Sequence, residues 1–144
     1  MFCRAHAVQL HRDRRQFERA GVELVAIGNG TVEQAAGFVR SQGLDGLRLM
    51  VDPKRRVYEA AGARVGTLSQ LVGPRVMLAG ARRTAGGGGA RQGRVIGHAA
   101  QLGGVLIVAP DGSVPYSYLA KNASDLAPQD EVLAAARRAA AAAA

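Results

Sequence analysis

Two short apolar runs, Val22-Glu23-Leu24-Val25-Ala26-Ile27 and Leu47-Arg48-Leu49-Met50-Val51, flank a segment with a helical pattern. Strands joined through a helix pair in parallel, because the crossover returns the chain to the same end of the sheet. This unit places the chain in the α/β class. The first run has the apolar density of a strand buried in a parallel sheet.

The remaining elements follow from punctuation and periodicity. Residues 3–20 read as one helix, with Phe2, Ala5, Val8, Phe17 and Ala20 on its apolar face and Gly21 as its terminator. After Gly28-Asn29-Gly30, Thr31 caps a second helix with Val32, Ala35, Ala36 and Val39 facing inward, closed by Gly43. Asp52-Pro53 starts a helix over 54–61, anchored by Val57, Tyr58 and Ala61 and ended by Gly62. The segment 68–81 holds a further helix around Leu71, Val76, Met77 and Leu78, interrupted at Gly73-Pro74. The glycine-rich stretch 85–90 is a flexible link.

Order returns at Gly104-Val105-Leu106-Ile107-Val108-Ala109, the clearest strand in the chain. Pro110-Asp111-Gly112 turns it into a second strand over 114–119, where Pro115 dictates an edge position. A closing helix covers 129–144 and ends in an alanine tail, residues 139–144, that frays. The expected whole is a single domain over 1–144: an α/β sandwich with a mixed sheet, a C-terminal hairpin and a final helix.

Composition narrows the function classes. Hydrophobic residues make up 48% and charged residues 21%, which is ordinary for a soluble globular domain. No apolar run is long enough to cross a bilayer, and the arginine-studded first twenty residues contain no signal-peptide core, so the expected location is the cytoplasm. The net charge of +8 is nearly all arginine, since only Lys54 and Lys121 are lysines. These arginines are scattered and aromatics are only 4%, so no specific nucleic-acid surface is expected; non-specific attraction to polyanions is the third functional reading. No phosphate loop, serine-hydrolase motif or metal-ligand spacing occurs, and no cofactor is expected.

The chemistry-bearing residue is Cys3, the lone cysteine, at the head of the first helix. Free backbone N–H groups and the helix dipole favour a thiolate there. Arg4 and His6 flank it, and His6 is one helical turn away. Positive charge from either lowers a thiol pKa. Taken alone, Arg4 and His6 equally suit a solvated surface, and His11 and His98 default to it. Asp52 is expected to be a helix cap.

Several ordered strings carry a resemblance. They are Phe2-Cys3-Arg4-Ala5-His6-Ala7, Val25-Ala26-Ile27-Gly28, Val51-Asp52-Pro53 running to Tyr58, Leu71-Val72-Gly73-Pro74-Arg75-Val76, Gln101-Leu102-Gly103-Gly104 and Val108-Ala109-Pro110-Asp111-Gly112. In this order they resemble the thioredoxin-like fold, in its peroxiredoxin-like (AhpC/TSA-related, peroxiredoxin-like 2 type) branch. The resemblance implies a three-layer sandwich and a catalytic group of Cys3, Arg4 and His6. It also implies an antioxidant or thiol–disulfide exchange activity, with a thiol reductant and a disulfide or peroxide substrate as partners.

The resemblance carries two departures. Phe2-Cys3-Arg4 matches the end of a C-x-F-C-R motif, whose first cysteine falls one residue before Met1. The strand preceding that motif, which lies centrally between 22–27 and 104–109, is expected to be missing. Met1 is accordingly expected to be a start placed inside the motif. Gly103 stands where peroxiredoxins carry an arginine that polarises peroxide, so thiol–disulfide exchange is expected ahead of peroxide reduction. A non-catalytic module that self-associates or borrows a strand is the alternative reading.

Overall fold

The structure is a computed structural model, described over residues 2–67, 71, 73–85 and 100–143. The order is α1 (Phe2–Arg12), α2 (Arg14–Arg19), β1 (Val25–Gly28), α3 (Val32–Gln42), β2 (Arg48–Val51), α4 (Arg56–Ala60), α5 (Pro74–Ala85), β3 (Gly104–Ile107), β4 (Tyr116–Leu119) and α6 (Gln129–Ala143).

The expected first helix is broken at Asp13. Asp13 takes φ −96° and ψ 9°, its N–H bonds back to Leu10 O at 3.2 Å, and its carboxylate accepts from Gln16 Nε2 at 3.0 Å. Aspartate is a poor interior helix residue because it offers the backbone competing bonds. The break lets α2 swing Phe17 into the core, where it is 3% exposed.

β1 and β2 pair in parallel, Val25 opposite Arg48 and Ile27 opposite Met50. Thr31 and Gln34 form a reciprocal capping box at the start of α3, and Gly43 ends it at φ 61°, in the left-handed region. β1 is not the buried strand its composition implies: Val25 and Ile27 are 37% and 38% exposed. They share one face of the ribbon with Arg48 and Met50, also exposed, while Ala26, Leu49 and Val51 are half-buried on the other. Val32 is exposed too, contrary to expectation, because it precedes the first full turn of α3.

The helix expected from residue 54 begins at Arg56, since Arg55 sits at φ 58°. Asp52 still acts as a cap, its carboxylate accepting from Val57 N–H at 2.7 Å. Tyr58 donates its hydroxyl to Ile27 O at 2.7 Å and ties α4 to β1, whereas Val57 is exposed and does not anchor the helix. Leu71 is helical, Gly73 is a bend and Pro74 starts α5, so the helical stretch is interrupted at Gly73-Pro74 as expected; the fixed φ of proline suits a first turn. Of the expected apolar residues there Val76 is buried, but Met77 and Leu78 face solvent. Most of the glycine-rich link, residues 86–90, lies outside the described residues.

Beyond it, residues 64–66 and 100–102 pair antiparallel, and the Gln101 amide donates to Arg64 O (3.2 Å) and Leu102 O (3.0 Å). β3 and β4 form the expected hairpin. Asp111 Oδ1 accepts from Ser113 N–H at 2.9 Å and from its hydroxyl at 2.7 Å, closing the turn. Pro115 precedes β4 rather than lying within it. Past the hairpin, Tyr118 donates to Asp125 at 2.5 Å; this bond first, and burial second, push the phenol up to about 12, so it stays a donor across the neutral range.

α6 carries Asp130 and Glu131 in its first turn, matching the helix dipole. It packs on both β3 and α2. The main core therefore gathers Phe17, Ile107, Ala127, Val132, Ala135 and Ala136, with Val22 and Val105 against its edge.

Among the described residues the strands do not join into one mixed sheet. They form two ribbons of two strands, β1-β2 and β3-β4. Val22, just before β1, touches the same core as β3, yet β1 and β3 are not hydrogen-bonded neighbours. Among the described residues each thus has one edge without a ladder partner.

Candidate functional site

Cys3 lies in the first turn of α1. That turn contains no acidic residue to repel a thiolate, and His11 and Arg12 sit in the last turn where positive charge is favoured.

Arg4 points elsewhere than along the helix axis. Its guanidinium carbon lies 5.6 Å from the centre of the Phe38 ring on α3. A cation over an aromatic face contributes about 0.5–1 kcal/mol at a partly exposed site. Arg4 therefore ties the start of α1 to α3. Phe38 was not among the residues singled out from sequence, and a cation–π partner on another helix leaves no local signal.

His6 is not a surface residue: it is 9% exposed, beside the buried Ala5. Its place three residues after Cys3 on α1 is the spacing of side chains on one helical face. His11 also corrects the surface expectation, at 6% exposed. Its Nε2 is 3.0 Å from Asp45 O and 3.2 Å from Arg14 Nη1. One nitrogen cannot serve both at once: carrying hydrogen it donates to Asp45, and without it it accepts from Arg14. Bonded to Asp45, His11 fastens the end of α1 to the loop after α3, where Leu44 is buried; accepting from Arg14, it ties α1 to α2. It is structural. His98 lies outside the described residues.

Gly103, at the position of the expected peroxide-polarising arginine, has its carbonyl accepting from Ala120 N–H at 3.0 Å. It closes the open end of the hairpin. Among the described residues, no three His, Cys, Asp or Glu side chains converge as a metal site, and no helix is long and apolar enough to cross a membrane.

Residues 9–122 match the family described as AhpC/TSA antioxidant enzyme. The chain belongs to this family. No curated protein and no solved structure was found to match it. The mixed order of helices and short strands is compatible with the thioredoxin-like fold of AhpC/TSA proteins. The matched span begins at residue 9, so Cys3, Arg4 and His6 lie just outside it. The matched span takes in the β1–α3–β2 unit, α4, α5 and the β3–β4 hairpin.

Proposed function

We propose that this AhpC/TSA protein is a thiol oxidoreductase in which Cys3 is the reacting group, flanked by Arg4 and His6. The observation that carries the reading is the position of Cys3 in the acid-free first turn of α1. Family membership supports the chemistry, and a helix N-terminus supports the thiolate. In the proposed architecture β1–β2 and β3–β4 belong to a three-layer thioredoxin-like sandwich.

The favoured reaction is exchange. The Cys3 thiolate attacks one sulfur of a disulfide, a new S–S bond forms, and the other sulfur leaves as a thiolate. A second thiol, the reductant, resolves the mixed disulfide. Attack on a peroxide gives a sulfenic acid at Cys3 and releases the leaving oxygen as hydroxide or alkoxide. Gly103 supplies no charge for that oxygen, which places exchange ahead of peroxide reduction. A reducing compartment, the cytoplasm, is the proposed setting.

A thiol-specific label should modify Cys3 about 5–10-fold faster in the native protein than in the urea-unfolded chain at neutral pH. Dilute peroxide followed by dimedone should give an adduct read by intact mass, absent in Cys3→Ser. A Cys3 that labels no faster when folded, and yields no dimedone adduct, removes the catalytic reading.

The open edges of β1 and β3 favour a second reading, a non-catalytic thioredoxin-like module that self-associates or accepts a strand from another chain. Light scattering after size exclusion separates the two. A stable oligomer that resists dilution favours the module; a monomer with one cooperative melt argues against it.

A further inference from the structure

Where α2 packs against α6, the surface opens into a recess of about 310 Å³ lined by Gln16, Arg19, Ala20 and Arg137. Its size falls at the low end of small-molecule sites. Arg19 and Arg137, far apart in sequence, both line it, because the core cluster of Phe17 with Val132, Ala135 and Ala136 brings their helices together.

Neither arginine has a carboxylate partner among the described residues. The acids nearest Arg19 in sequence are engaged elsewhere: Glu18 lies 3.9 Å from Arg14, and Glu23 pairs with Arg48 at 2.8 Å. On α6 every residue from Leu133 to Ala143 is leucine, alanine or arginine, so Arg137 has no acid within a turn on its own helix. Gln16 spends one amide hydrogen on Asp13 Oδ1 and keeps the other. Ala20 adds only a methyl group to the lining.

Two arginines and a glutamine amide lining one recess are the side-chain types that suit a compact oxyanion. We propose that this recess binds the phosphate group of a small molecule, gripped between Arg19 and Arg137. The site stands apart from Cys3, on the helix pair that closes the core. It does not depend on the redox reading.

Inorganic phosphate and pyrophosphate are the probes, titrated into the ¹⁵N-labelled protein at low ionic strength. Amide shifts should concentrate in residues 16–20 and 134–138, with pyrophosphate binding more tightly than phosphate. Arg19→Gln and Arg137→Gln should each weaken binding about 2–5-fold, as expected for exposed charge pairs. Arg56→Gln, on the distant α4, should leave it unchanged. Equal weakening by all three variants would mean diffuse attraction to the +8 charge and would overturn the site. Shifts scattered over the surface, or none, would do the same. Both α2 and α6 arginines are exposed, so these variants are expected to fold normally.

Discussion

Phe17→Ala is expected to cost about 3–5 kcal/mol, the range for emptying a fully packed aromatic site. Phe17 is the one large side chain of α2 in the core, 3% exposed, and it touches what α6 and β3 present. Its neighbours Ala127, Ala135 and Ala136 are too short to collapse into the space left. The loss removes the link through which α2 holds α6 and, behind it, β3. For a domain of this size such a loss consumes a large part of the whole stability. Urea unfolding followed by circular dichroism should show a much lower midpoint at nearly unchanged slope. A midpoint shift equivalent to less than about 1 kcal/mol would mean that α2 is not part of the cooperative core.

Gly104→Ala should destabilise by about 1–3 kcal/mol, a large effect for one methyl group. A Cβ at Gly104 would lie 2.5 Å from Tyr118 O and 2.9 Å from Leu119 Cδ2. The first neighbour is backbone in the paired strand, so relief requires the β3–β4 ladder to open at its Gly104–Leu119 end. That movement also displaces Tyr118 from Asp125. Gly37→Ala in α3 is the control. Nothing lies within 4 Å of a Cβ there, and an interior helical glycine costs about 0.5–1 kcal/mol relative to alanine, so this change should stabilise. Thermal melts of the pair should therefore move in opposite directions. A Gly104→Ala protein as stable as the parent would show that the hairpin yields at no cost.

Much of the architecture is readable locally. The capping box of Thr31 and Gln34, the left-handed Gly43, the Asp111 turn and the Asp52 cap are all made by bonds spanning five residues or fewer. The order of strands and helices, and the AhpC/TSA relationship, are legible for the same reason. The candidate site is only partly so. Helix placement puts Cys3 in a first turn, but the burial of His6, the hold of His11 on Asp45 and the Arg4–Phe38 contact depend on which helix lies alongside α1.

The sequence alone determined most turns and caps and which strands pair through a crossover or a hairpin, because each depends on backbone bonds and side chains a few residues apart; the break at Asp13 and the start of α4 at Arg56 emerged only in the structure. The tertiary structure decided which apolar residues are covered. Val25, Ile27 and Met77 carry the apolar pattern of a core yet face solvent, while two histidines are buried. It also decided that the strands form two ribbons and that Arg19 meets Arg137 across one recess. Burial and charge proximity are properties of elements packed together from distant parts of the chain, and no local pattern encodes the partner.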